Sequence, residues 1–377
     1  MYIAQVLGGL LFFLPIIALY LEEHLFSVTN VAIVFLVESF AMAIFEVPTG
    51  AIADLFGRKK TIILSNVVVL LGFMFLYIGG SMIMFIFFAL FNALARSLFS
   101  GTSNAMIYDT LKEEGKAHHY KKIIGTYSAL WSFGAVAGSL IGGYLASFSL
   151  SLTVIMSFIP FTIMLLIFLF LKEPKYETEH HKNVAKHMFL SSKEVVKNYQ
   201  LIIIFVAGLM MWGIGESMHR LSSLFYDFKQ IPIIYFGIIY AFTFGLSSIG
   251  HYYAHDVSER LGDKNTLVFA SLGTFILLLL ATFTTGYVSV VLFVAPSIFF
   301  GLRNPIVDHM INEEVESKKR ATVISIYNLM TRIGMIIFLP FVGYLTELYT
   351  INTAFKIGAV AMITVPVIFM FLKEKSD

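Results

Sequence analysis

Gly50-Ala-Ile-Ala-Asp54-Leu-Phe-Gly57-Arg58-Lys59-Lys60 sets one acid, two glycines and three cations between two apolar runs too long for a soluble core. The segment reads as a tight cytoplasmic turn joining two membrane-spanning helices. Gly50 and Gly57 permit close backbone approach and dihedrals closed to other residues, while Asp54 and the cations can enter ion pairs at a membrane rim.

The rest of the chain supports that reading. Its 377 residues are 58% hydrophobic and 13% charged, against about 25% charged in an average globular protein, and its mean hydropathy is +0.82. Lipid is therefore the expected solvent, and only helices or closed barrels satisfy their backbone polar groups there. The 38 Phe and 17 Met suit helices that pack against lipid and one another. A net charge of +2, with the basic residues in short loops rather than one patch, is too small to argue for a nucleic-acid partner, and none is expected. Zero cysteines exclude disulfides and thiolate metal sites.

Apolar runs fall at about 2–21, 29–52, 61–80, 82–108, 122–147, 151–171, 199–222, 232–254, 266–285, 287–309, 322–346 and 353–372. Each approaches the roughly 20 residues that a helix needs to cross about 30 Å of hydrocarbon. The first run begins without a basic leader and ends without a small-residue cleavage site, so it reads as a span. Loops after even-numbered runs carry most of the cations, from Arg58, Lys59 and Lys60 to Arg260, Lys264, Lys318, Lys319 and Arg320. The opposite loops offer Lys229, with Arg220 and Lys356 near run ends. By the positive-inside rule both termini are expected in the cytoplasm. The polar stretch Lys172 to Gln200 divides the runs six and six, giving an N-terminal bundle over 1–171, a linker over 172–198 and a C-terminal bundle over 199–377.

The halves echo each other. Leu55-Phe-Gly57-Arg58-Lys59 recurs as Arg260-Leu-Gly262-Asp263-Lys264, with Gly262 lying 205 residues after Gly57, and Met106-Ile-Tyr-Asp109 recurs as Met310-Ile-Asn-Glu313, 204 residues on. Two matches at nearly one offset suggest duplicated bundles around a central site.

The first turn resembles the signature loop of the major facilitator superfamily: Gly50, Asp54 four residues later, Gly57 three later, then Arg58 and Lys59. That resemblance implies an all-α membrane protein with twelve transmembrane helices in two pseudo-symmetric six-helix bundles. In the family the acid contacts the start of the eleventh span and the first basic residue pairs with an acid ending the fourth. Asp109 occupies that last place, so an Arg58 to Asp109 pair is expected, and Gly50, Asp54, Gly57, Arg58 and Asp109 would form a conformational latch. The second copy places Asp263 where Arg58 would stand.

Gly134, Gly138 and Gly142, followed by Gly143, align along one face of the fifth span, which permits close helix approach. The pattern is similar to the antiporter motif of drug-exporting members, with Ser139 in place of its proline, and marks these glycines as interface or gate positions. Glu46-Val-Pro48-Thr-Gly50, Ser100-Gly101-Thr102 through Asp109-Thr-Leu-Lys112, and Arg320-Ala-Thr322 through Ser325 also resemble the bacterial drug:proton antiporter branch.

Charges inside spans are the sharper guide, because each is costly in hydrocarbon and faces a cavity or a partner. Glu38 and Glu216 are the proton-coupling candidates: burial favours a neutral carboxyl and a nearby arginine favours the charged form, so cargo that disturbs such a pair can switch protonation. Arg96 either holds an anionic group, tunes a carboxylate or forms a structural pair with Glu38. A bridge from Glu38 to Arg332 would instead make it a gate. Glu216, His219 and Arg220 share a helix face. Asn92, Arg96, Trp212, Arg303, Asn304 and Asp308 are candidate substrate-cavity residues. His180, His181 and His187 read as solvated and His251 and His255 as polar caps, so no metal site and no cofactor is expected.

No nucleotide-binding loop of the form Gly-x-x-x-x-Gly-Lys-Ser/Thr occurs. The expectation is a monomeric, multi-pass plasma-membrane transporter that exports a small amphipathic or drug-like molecule in exchange for protons or another ion. Uptake of a nutrient or organic anion, drawn by Arg96 and Arg303, is the alternative within transport. A membrane enzyme or receptor lacks support in any Ser/His/Asp or three-ligand metal pattern.

Overall fold

In the computed structural model of the protein the described residues are 1–174, 198–315 and 320–373, less the side chains of residues 47, 48, 50, 51, 53–55, 121, 321 and 322. Most of the expected linker, with His180, His181 and His187, therefore lies outside the described residues, as does the side chain of Asp54.

Among the described residues, twelve helices are long and apolar enough to cross a membrane. They are α1 (Tyr2–Leu25), α2 (Val28–Phe56), α3 (Arg58–Ile78), α4 (Met82–Glu113), α5 (Tyr120–Ala146) and α6 (Leu150–Leu169). After the linker come α7 (Tyr199–Arg220), α8 (Phe236–Leu261), α9 (Asp263–Phe283), α10 (Gly286–Glu314), α11 (Arg320–Leu348) and α12 (Ile351–Met370). Large apolar side chains such as Phe133, Phe242 and Val291 are exposed on these helices.

The signature segment is more helical than its polar composition predicts. Gly50 and Asp54 lie within α2, which runs to Phe56, and α3 resumes at Arg58. The turn is thus one residue wide. Ala51, Ile52, Ala53 and Leu55 sustain the helix, and Gly57 ends it with φ +97°, a left-handed value that costs other residues about 1–2 kcal/mol. The second copy repeats this device: Gly262 has φ +80° just before α9. Thr61 and Thr266 then each donate a hydroxyl to the carbonyl of the preceding turn glycine at 2.8 Å.

Among the described residues three spans are broken, α12 between Ile351–Ala361 and Thr364–Met370 among them. α1 is helical over Tyr2–Gly9 and Ile17–Leu25, with a single 3-10 turn at Leu14–Ile16. Pro15 has no N–H to offer the ladder, and the Phe12 N–H released by the break donates to Ser157 Oγ on α6 at 3.0 Å. In α10 the break falls between Gly286–Val294 and Ser297–Glu314, at Pro296.

The chain divides into two compact units, Met1–His180 with Pro232–Ala241, and His181–Ile231 with Phe242–Asp377. In the first, the glycine face of α5 lies directly on α1. A methyl added at Gly134 would sit 2.2 Å from the Val6 carbonyl oxygen, and one at Gly142 would sit 2.0 Å from that of Phe12. Gly138 faces Gly9, and Gly143 faces Gly237 on the α8 segment belonging to this unit. In the second unit a methyl added at Gly334 of α11 would sit 2.2 Å from the Leu209 carbonyl oxygen of α7, and one at Gly250 of α8 would sit 2.0 Å from that of Ile298 on α10. These contacts substitute backbone proximity for the hydrophobic drive that lipid removes between helices.

Candidate functional site

In the first unit the residues of interest converge on Glu38. It lies in α2 with 6% exposure. Asn92 and Arg96, four apart on α4, share the face that meets it. The Asn92 amide donates to Glu38 Oε1 at 2.7 Å, and Arg96 Nη1 donates to the same oxygen at 3.2 Å. Arg96 and Glu38 thus form an ion pair, one of the arrangements open to Arg96 from sequence. The pair is asymmetric: the Arg96 side chain is 51% exposed and that of Glu38 7%. Farther along α2, the Thr49 hydroxyl reaches the Ser97 carbonyl at 3.3 Å and ties α2 to α4. One oxygen therefore receives both a neutral and a charged donor, an arrangement that holds a carboxylate where water is scarce.

Around the first turn Arg58 Nε meets Asp109 Oδ2 at 3.3 Å, both side chains mostly buried. A residue that sequence reasoning missed completes the turn. Glu173, just beyond α6, accepts the backbone N–H of Arg58 at 2.6 Å and that of Lys59 at 2.8 Å. It thereby caps the first turn of α3, where unsatisfied N–H groups and the helix dipole favour an anion. An acid immediately following a span was the available signal, but nothing local indicated which helix it would cap.

The second unit holds a different cluster. Arg303 on α10 is 4% exposed, and its Nε has no hydrogen-bond partner. Tyr327 of α11 lies within its electrostatic reach. Tyr327 packs against Phe205 with ring centroids 5.4 Å apart and fills the space left by Gly208, where a methyl would sit 2.5 Å from the phenol ring. Trp212 of α7 approaches Tyr327 and stands edge-on to Phe300 at 5.1 Å. Tyr327 and Gly208 were not singled out from sequence, because an aromatic and a small residue in apolar spans carry no periodic signal. Asp308 is exposed and lies near His251, while Asn304 is partly buried. Arg303 and Asp308, five apart, form no ion pair with each other.

Elsewhere in this unit Arg220 Nε meets Glu216 Oε1 at 3.3 Å, the i to i+4 pair expected from their spacing. Arg332 is partly buried on α11. Asp263, in the place of Arg58, accepts a hydrogen bond from the Ser258 hydroxyl, so the second turn carries no counterpart of the Arg58 to Asp109 pair at that position.

Comparison with known proteins adds the family. The curated protein "Uncharacterized MFS-type transporter YxaM" of Bacillus subtilis (strain 168) is 25% identical over 241 residues, 59% of this chain and 58% of that protein. The match thus spans less than two thirds of that relative's length. A variant of the nucleoside transporter NupG has a similar structure, with TM-score 0.85, 17% identity and 99% of each chain covered. The D-xylose-proton symporter gives 0.73 at 12% identity over 98% of this chain and 97% of that one. At such identities these likenesses are of fold alone. The model of the Major Facilitator Superfamily matches residues 1–306 and 235–377, stretches that together span the sequence, and with twelve apolar helices and duplicated glycine turns the chain belongs to that superfamily.

Proposed function

We infer that the chain is a proton-coupled secondary transporter that exports a small amphipathic molecule by alternating access. The observation that carries this reading is Glu38, a carboxylate buried on α2 whose single oxygen is shared by Asn92 and a half-exposed Arg96. Burying a charge is costly unless it is paired, so protonation of Glu38 and release of Arg96 are coupled events. A solute that holds Arg96 against the carboxylate favours its charged form, and protonation frees Arg96 and weakens the solute's hold, so proton and cargo occupy the site alternately, as exchange requires. Arg58, Asp109 and Glu173 serve as the latch that steadies one conformation, and Glu216 with Arg220 is the secondary coupling candidate. Outward direction is supported by the motifs resembling the drug-export branch.

Reconstituted protein tests this. With a pH gradient imposed across proteoliposomes, flux of amphipathic test compounds is expected to follow the gradient and to lose that dependence in Glu38→Gln. Gradient-driven flux that survives unchanged in Glu38→Gln removes the coupling role. Susceptibility profiles of cells with and without the gene report direction.

Uptake of an organic anion is the second reading, and the buried Arg303 is the observation that favours it.

A further inference from the structure

We propose that Arg303 is the anchor for an anionic group, a carboxylate or phosphate, on the transported molecule, with Trp212 and Tyr327 flanking a planar portion of it. The proposal rests on the transport reading and specifies the chemistry of the cargo.

Arg303 is almost wholly enclosed in the second unit. Among the described residues no carboxylate forms an ion pair with it, and its Nε is buried without a hydrogen-bond partner. A guanidinium carries five donors and stays charged, so it cannot escape this environment by losing a proton. A buried charge with no counter-charge opposes folding. Its neighbours form no ion pair with it: Tyr327 offers a neutral phenol, and Asp308, exposed near His251, reaches Tyr327 electrostatically without pairing with Arg303.

The surroundings suit a ligand better than an internal ion pair. Gly208 leaves room for the Tyr327 ring, and Trp212 stands between Tyr327 and Phe300. A partly exposed Trp212 and a buried Tyr327 beside a forked cation match a molecule with an anionic head on a planar or apolar body. Arginine suits carboxylate or phosphate because its fork engages two oxygens at once. The counter-charge that the fold omits is then supplied by cargo, which makes occupancy of the site stabilising.

The chain has two tryptophans, so Trp131→Phe leaves Trp212 as the reporter. Purified in detergent without any gradient, this protein is titrated with benzoate, phenyl phosphate, benzamide and benzylamine. A saturable change in Trp212 emission is expected with benzoate or phenyl phosphate, and whichever binds tighter identifies the head group. Arg303→Lys is expected to weaken that binding at least tenfold, and Arg303→Gln to abolish it. The winning anion should raise the melting temperature of the Arg303 protein, and Arg303→Met should melt above the unliganded parent. The proposal is overturned by equal response to benzamide or benzylamine, by no saturable response to either acid, or by anion binding that survives Arg303→Gln. It is also overturned if Arg303→Met melts lower while the acids fail to stabilise the parent, since Arg303 would then be structural. Because no step needs a gradient, failure here is separate from failure of the Glu38 coupling test.

Discussion

Glu173 accepts the backbone N–H of Arg58 at 2.6 Å across 115 residues of sequence, so the end of the first six-helix segment is fastened to the signature turn. The adjoining Lys59 N–H, at 2.8 Å, goes to the second oxygen of the same carboxylate. Losing a cap costs about 1 kcal/mol, and this exposed one belongs at or below that figure. Glu173→Ala should therefore lower thermal stability slightly and slow transport while leaving ligand affinity near the parent value. Gly57→Ala should cost more, about 1–2 kcal/mol, because φ is +97° and the new methyl would sit 3.1 Å from the Glu173 carboxylate. A large affinity loss in either variant would contradict the latch role.

Glu38 and Arg96 should show coupling in a double-mutant cycle. Arg96 is half exposed, which limits the pair to about 1 kcal/mol. Asn92→Leu removes the shorter bond, 2.7 Å, and a hydrogen bond to a charged group contributes about 1.5–3 kcal/mol. Gradient-driven flux in Asn92→Leu should accordingly fall roughly tenfold or more, with normal folding by chromatography. Flux equal to the parent would remove Asn92 from the coupling machinery.

Two glycines of α5 make a controlled comparison. At Gly142 a methyl meets the Phe12 carbonyl oxygen at 2.0 Å, whereas at Gly125 nothing lies within 4 Å. Gly142→Ala should destabilise by about 1–3 kcal/mol, since a backbone atom has to move. Gly125→Ala should be neutral or stabilising by up to about 1 kcal/mol, as alanine is the better helix former. Detergent melting curves that rank the two alike would refute the α1 to α5 contact.

Lys229, outside the spans, gives a pH dependence. Burial, and then the nearby Lys356, pull its ammonium below the ordinary lysine value of 10.5, although Nζ donates to the Thr284 carbonyl at 2.7 Å. The folded protein thus releases this proton at a pH where the unfolded chain still holds it, and stability rises with pH just below 10.5. Relative to Lys229→Met, the parent should gain stability as pH rises toward 10.5. A flat or falling difference would count against the burial of this amine.

The sequence carries much of the architecture because lipid leaves few choices. Runs of apolar residues bounded by Gly57 or Gly262 must be helices, and the 205-residue offset between those glycines reappears as matching positive φ angles and matching threonine bonds. The Arg58 to Asp109 pair was also legible, through the motif that the turn resembles. Helix ends were less so: α2 continues through Gly50 and Asp54 to Phe56, although the polar composition of that stretch reads as a turn.

What sequence alone determined is the solvent of this protein, its helical spans and the duplicated turns, since those follow from hydropathy and backbone dihedrals that act locally. Which oxygen Asn92 and Arg96 share, which helix Glu173 caps, and that Arg303 is enclosed beside Tyr327 without a counter-ion were decided by tertiary structure. Those depend on side chains from different helices meeting at distances of about 3 Å, and helical periodicity fixes the face a residue occupies but not the neighbour that face will find.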